Sequence, residues 1–342
     1  MEAAQYHPPW WYRGRHLQTL WGPLLRRFTA PRLRRERLHT RDGDFLDLDW
    51  LDATDRDARL ILILHGLEGS SRSHYVSGLV RETERLGLRA VVLNFRSCSG
   101  EMNRAPSLYH SGDTTDLAWV VGELCEREPT LRLGLVGVSL GGNVALKWLG
   151  ELGEGTPSCI VGAAAISTPF DLAACAGVLD RGLARTLYTT EFLRTLKAKI
   201  RAKKSLYDGC LDVPAAMRAR TFAQYDRLVT APLYGFADER DYWTQSSSAR
   251  YLSKIRRPCL LINAVNDPFI PPGSLPDDAV LRSPWLQSLF PRQGGHAGFL
   301  EGPLGRRSWS ERRAVAFLEG LLKDGTPDET AAPNTAPPIT RS

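Results

Sequence analysis

No continuous apolar run in this 342-residue chain approaches the roughly 18 residues that a membrane-crossing helix needs. The N-terminal stretch also lacks the apolar core of a signal peptide. Together these absences predict a soluble, cytoplasmic protein. The six cysteines, Cys98, Cys125, Cys159, Cys175, Cys210 and Cys259, form no Cys-x-x-Cys pair. Cys125, Cys159 and Cys259 sit in or beside apolar segments and read as small buried hydrophobes. No disulfide framework is indicated, which favours a reducing compartment. The seven histidines show no ligand spacing such as His-Glu-x-x-His, so no metal site is expected. There is no internal repeat, which excludes a solenoid. The formal charge of +6 comes without a nucleic-acid recognition motif, so nucleic acid is not an expected partner. No pattern in the chain sets its oligomeric state.

What is present is ordinary globular material, 43% hydrophobic and 24% charged. Residues 37–51 alternate around Asp42-Gly43, a hairpin signal. Apolar runs at 60–64, 90–95, 131–136, 159–166, 259–265 and 287–290 have the length of strands. Segments 75–86, 113–125, 144–149 and 314–322 repeat at helical spacing. Strands that are nearly all apolar and alternate with helices predict an α/β fold, a mostly parallel sheet with helices on both faces. The ninety or so residues after 167 are too many for a plain connection in a compact domain and read as an inserted helical cap. The expected division is an N-terminal helical extension over 1–36 and a core over 37–167 and 258–323. The cap occupies 168–257, and a disordered Pro/Thr/Ala-rich tail occupies 324–342.

The chemistry centres on Gly137-Val138-Ser139-Leu140-Gly141, lying between an apolar strand and a helical segment. A serine between two glycines at such a turn is a nucleophile elbow, whose sharpness lifts the hydroxyl clear of the sheet. That hydroxyl needs a base, itself held by a carboxylate, in the chain order Ser, acid, His. His296 is the only histidine after Ser139, in a loop of small residues, 294–298. Asp267 directly follows an apolar strand and is the expected acid, with Asp277 or Asp278 as the alternative. The oxyanion requires two backbone donors. Leu140 supplies one, and His65-Gly66-Leu67 after the strand at 60–64 points to Leu67 for the other. His65 itself reads as a structural loop histidine. His110 is a weaker candidate for substrate contact, and Cys98 follows a strand without an elbow and is set aside.

These segments resemble the YheT-type branch of the α/β-hydrolase superfamily. The match runs through His16-Leu17-Gln18-Thr19, residues 65–70, 94–101, 109–112, 137–143, 231–236, 266–269 and 294–299. Ser97 stands where the family usually has Gly, and Met102 where Pro is common. The resemblance implies an α/β-hydrolase fold with Ser139, Asp267 and His296 as the triad. It also implies hydrolysis of short- to medium-chain or lipid-like acyl esters such as monoacylglycerols, without a cofactor. Small-molecule esters are therefore the expected partners. An acyltransferase passing the acyl group to an alcohol is the first alternative, and a catalytically silent binding protein is the second. Phe192, Leu196, Tyr207, Tyr225 and Trp243 in the cap are expected to shape the acyl slot. Near the N-terminus, Leu17, Leu20, Trp21, Leu24 and Leu25 form an apolar stripe, interrupted by Gly22 and Pro23, with Arg26 and Arg27 beside it. Two readings stay open: a helix packed on the body, or an interfacial helix contacting membrane lipid.

Overall fold

The computed structural model describes residues 5–26, 32–52 and 59–323; the expected disordered tail at 324–342 lies outside them. Helix α1 (Arg15–Leu25) precedes strands β1 (Arg34–His39), β2 (Phe45–Leu51) and β3 (Arg59–Leu64). Then follow α2 (His74–Arg85), β4 (Arg89–Asn94), α3 (Thr115–Arg127), β5 (Arg132–Val138), α4 (Leu140–Leu152) and β6 (Ile160–Ile166). Beyond β6 the main helices are α5 (Leu172–Leu179), α6 (Thr190–Ala202) and α7 (Glu239–Ser246). Strands β7 (Cys259–Ile262) and β8 (Leu286–Leu289) and helix α8 (Trp309–Lys323) complete the body.

The eight strands form one sheet in the order β1-β2-β4-β3-β5-β6-β7-β8. The first two form the antiparallel hairpin turned at Gly43, and β2 runs antiparallel to β4. All pairs from β4 through β3 to β8 are parallel. Alternation within β3 shows why its apolar run is continuous. Leu60, Leu62 and Leu64 pack into one core with α3 and α4, while Ile61 and Ile63 pack into another with α2 and α8. Both faces of β3 are buried, so it needs apolar residues at every position from Leu60 to Leu64.

The segment between β6 and β7 is helical and is bound to the carboxyl edge of the sheet by polar contacts. Asn143 of α4 donates to the carbonyls of Ser111 and Ser246 and accepts from the Ser248 amide. Tyr242 accepts from the Ser111 amide at 3.0 Å, and Lys199 of α6 pairs with Glu68 at 2.6 Å.

One feature departs from the reading of the sequence. Cys125 and Cys159, expected as separate small hydrophobes, are joined as a disulfide with Cα atoms 6.9 Å apart. The end of α3 and the approach to β6 bring them together across a separation of 34 residues, which spacing alone does not reveal. Helix α1 packs on the body through Gln18, Thr19 and Gly22, while Leu17, Leu24 and Leu25 are exposed. Three of the five stripe residues thus face outward, Leu20 packs against the core, and the polar face is turned inward, as the site shows.

Candidate active site

Strand β5 ends at Val138 and α4 begins at Leu140, leaving Ser139 alone to make the turn. Its backbone sits at φ 54°, ψ −121°, a conformation that side chains rarely adopt and that a well-packed surround must hold. The two flanking glycines are required by space. A Cβ at Gly137 would lie 2.4 Å from the backbone of Gly141, and one at Gly141 would lie 2.4 Å from the carbonyl oxygen of Leu64. The amide of Ser139 donates to Ile166 O at 2.8 Å, tying the turn to the neighbouring strand.

The loops after β7 and β8 bring the other two expected residues to this serine. His296 Nε2 lies 3.0 Å from Ser139 Oγ, and His296 Nδ1 lies 2.8 Å from Asp267 Oδ2. Asp267 is buried, and its second oxygen accepts from the Phe269 amide at 2.8 Å. The Phe269 ring stacks on the imidazole with centroids 4.0 Å apart. Asp277 and Asp278 instead open a short helix, Asp277–Arg282, where Asp278 is exposed and pairs with Arg282.

The loop after β3 lies against the serine, since a Cβ at Gly66 would stand 3.2 Å from that of Ser139. Three of its amides are already engaged. Gly66 donates to Tyr75 Oη, Glu68 to Tyr109 Oη and Gly69 to Gly66 O. The amides of Leu67 and Leu140 have no hydrogen-bond partner among the described residues, the arrangement needed for an oxyanion site. His65 braces the loop from behind: its Nδ1 bonds Gly66 O at 2.8 Å and its Nε2 accepts from the Phe95 amide at 3.0 Å. Burial lowers its pKa to about 4, so the ring stays neutral. Glu68 follows Leu67 at φ 55° and is held by Tyr109 Oη at 2.8 Å and Lys199 Nζ at 2.6 Å.

Sequence reasoning gave no role to the residues that hold the histidine loop. Gln18 is fully buried, and its Oε1 accepts from the Gly294 amide at 3.0 Å and from Asn266 Nδ2 at 2.9 Å. Its Nε2 donates to Tyr12 O at 2.9 Å and Gln293 Oε1 at 3.2 Å. Thr19 Oγ1 accepts from the His296 amide at 3.0 Å while donating to Arg15 O at 2.7 Å. Asn266 Oδ1 in turn accepts from the Gly295 amide at 3.0 Å. The acid loop and the base loop are thus joined through one glutamine of α1. The glycines allow this approach, because a Cβ at Gly298 would lie 2.3 Å from Gln18 O. The trace in the sequence was that His16-Leu17-Gln18-Thr19 and 266–269 belong to the segments that carry the family resemblance, without a role attached to them.

Two cavities meet at Ser139 and His296 and share Leu67, Phe192 and Phe269 in their walls. The larger, about 640 Å³, has a mixed lining that includes Thr19, Leu20, Pro23, Arg72 and Ser73. The smaller, about 90 Å³, is walled by Leu172, Ala176, Leu179, Phe222 and Trp243. Of the five cap residues expected at an acyl slot, Phe192 and Trp243 line this cavity. Leu196 and Tyr225 line a neighbouring space of about 60 Å³. Tyr207 lines neither: its hydroxyl donates to Pro106 O at 2.8 Å. The smaller cavity also meets one buried carboxyl, Asp226, which accepts from Thr230 Oγ1 at 2.6 Å and Trp243 Nε1 at 2.8 Å. Burial raises its pKa to about 7 despite these bonds. His110 packs among Tyr234, Phe236 and Tyr242, and Cys98 lies 3.1 Å from Lys199 Nζ.

A model of the alpha/beta hydrolase fold matches residues 59–303. YheT of Escherichia coli (strain K12), whose name carries the word esterase, is 35% identical over 326 residues, 94% of this chain and 95% of that protein. Phospholipase ABHD3 of Mus musculus is 30% identical over 94% of this chain and 79% of its own length. Among solved structures, the Pyrococcus furiosus esterase Pf2001 superposes with a TM-score of 0.56 at 17% identity, covering 85% of this chain and 93% of that one. That last likeness concerns the fold alone. No described helix is long and apolar enough to cross a membrane.

Proposed function

This chain belongs to the α/β-hydrolase family, as a YheT-like hydrolase of the carboxylesterase/lipase type, and from that premise we propose that Ser139, His296 and Asp267 cleave lipid-like acyl esters through an acyl-enzyme. The observation that carries this reading is the unbroken chain of contacts from Asp267 Oδ2 to His296 at 2.8 Å and on to Ser139 Oγ at 3.0 Å. A hydroxyl so placed can pass its proton to Nε2 as it attacks the ester carbonyl. Asp267 orients the ring through Nδ1 and stabilises the imidazolium that forms. Leu67 and Leu140 donate to the developing oxyanion, each such donor contributing on the order of 3 kcal/mol to the transition state. The alcohol leaves with the proton returned by His296, and water then repeats the sequence on the acyl-enzyme.

The two cavities support a division of the substrate. The small apolar one suits a short to medium acyl chain. The larger mixed one suits the alcohol portion, a monoacylglycerol-like headgroup, and admits the water that completes turnover.

Fluorophosphonate labelling tests the mechanism. Wild-type protein should label covalently and Ser139→Ala should not, with a fall in kcat of about a million-fold. Equal labelling of the two proteins would sink the assignment. A series of p-nitrophenyl esters should show turnover falling once the acyl chain outgrows the small cavity.

A further inference from the structure

Ten large apolar side chains among the described residues are exposed, and half of them gather in one place: Trp10, Leu17, Leu24, Leu25 and Leu304. Trp10 is 81% exposed, Leu304 67%, Leu24 62% and Leu25 59%. Leu17, Leu24 and Leu25 fall on one face of α1, seven and eight residues apart. The neighbouring pieces are locked to that helix. Trp11 packs on Trp21 with centroids 4.7 Å apart and donates Nε1 to Pro303 O at 3.0 Å. A Cβ at Gly305 would lie 3.0 Å from the Trp11 ring, so the loop bearing Leu304 belongs to the same platform.

Charge around the platform is mainly positive, the one carboxylate beside its loop, Glu301, being paired with Arg312 at 3.0 Å. Residues 5–26 include no Asp or Glu, and Arg13 and Arg15 are exposed beside the apolar face. The loop adds exposed Arg306 and Arg307. A tryptophan and leucine face rimmed by arginine has the composition of a surface that settles into an anionic lipid–water interface. A second copy of the chain is a poor occupant, since a two-fold contact would set one cationic rim against another. The platform is also continuous with the site, because Leu20 and Pro23 of the same helix line the larger cavity at Ser139.

We propose that this N-terminal platform docks the enzyme onto anionic lipid surfaces and brings the mouth of the larger cavity to the bilayer. The proposal deepens the lipid-ester reading above, on which it rests. Docking would deliver a membrane-resident ester along α1 into the site without passage through water. The inward face of α1 holds the histidine loop, and the outward face would meet lipid.

The test is sedimentation of the full-length protein with vesicles of phosphatidylcholine alone and of phosphatidylcholine with phosphatidylglycerol, at low and high salt. Turnover of soluble p-nitrophenyl butyrate is measured alongside. Wild type should sediment with the anionic vesicles and be released by salt. The variant Trp10→Ser/Leu24→Ser/Leu25→Ser should bind at least tenfold less, while its turnover of the soluble ester stays within twofold. Absence of wild-type binding would overturn the proposal, as would equal binding by the variant. A wild-type dimer that the variant dissociates would assign the platform to a second copy and also overturn it. Vesicle binding by a wild type that cleaves no soluble ester would support the platform and reject the esterase reading instead.

Discussion

Helix α4 follows Ser139 directly and is buried from Leu140 to Gly150, whereas α1 reaches the same site from the other side and leaves Leu17, Leu24 and Leu25 in solvent. The first is placed by apolar packing. Val144, Ala145, Leu146 and Leu149 of α4 are wholly buried in the core it shares with β3 and β5. The second is placed by polar contacts: Gln18 and Thr19 satisfy the amides of Gly294 and His296. Hydrophobic patterning therefore locates α4 but does not say which face of α1 turns inward. Buried backbone donors require acceptors as strictly as apolar side chains require cover. In a loop made of small residues, those acceptors come from another element.

The contrast can be pushed hardest at the core. Leu146→Ala, at a fully buried position in α4, should cost about 2–5 kcal/mol in urea denaturation. A loss below about 1 kcal/mol would mean that α4 is not held by packing. At α1 the matching change is polar. Thr19→Val keeps the shape and leaves the His296 amide without an acceptor, which should cost roughly 1–3 kcal/mol of stability. It should also lower kcat roughly tenfold at unchanged KM, and Thr19→Ser should restore most of it. A rise in KM at constant kcat would show that Thr19 acts on substrate binding rather than on the position of the base.

A third test uses pH. The His74 ring packs under Gly22 of α1, where a Cβ would lie 2.3 Å from it, and burial, with Arg26 adding to it, lowers its pKa to about 3. Between pH about 3 and the ordinary histidine value near 6.5 the unfolded chain carries a proton that the native state lacks. Stability must therefore fall as pH falls through that window, by at most about 1.4 kcal/mol per pH unit from this residue. His74→Asn should flatten thermal stability against pH between 6.5 and 4 and leave the slope above pH 7 unchanged. An unaltered acid slope would mean that the ring is protonated in the fold. The smallest effect belongs to Leu24→Ala on the outer face, which should change stability by no more than about 0.5 kcal/mol. A larger loss would mean that this face is covered.

Much of the architecture was legible because two periodicities carried it. Strands buried on both faces must be apolar throughout, so β3, β4, β5 and β6 stood out within a residue or two of their observed ends. The elbow was legible because the need for Gly137 is local, a Cβ there striking the backbone of Gly141, whereas Gly141 is required by the end of β3 at Leu64. Gln18 was not legible as a loop-holding residue, because what it binds lies some 276 residues away in the chain. The Cys125–Cys159 pair, 34 residues apart, Tyr207 against Pro106, 101 apart, and the burial of Asp226 escaped as well. Each depends on which segments the cap and sheet bring together.

By itself, the order of residues determined the strand–helix alternation, the strained turn at Ser139 and the short choice of acid and base, since these rest on local sterics and on how few candidates the chain holds. Only the tertiary structure decided which way α1 faces, which acid lies beside His296 and how two cavities divide at the serine. Those outcomes depend on pairing donors with acceptors, and apolar surfaces with cover, between segments tens to hundreds of residues apart.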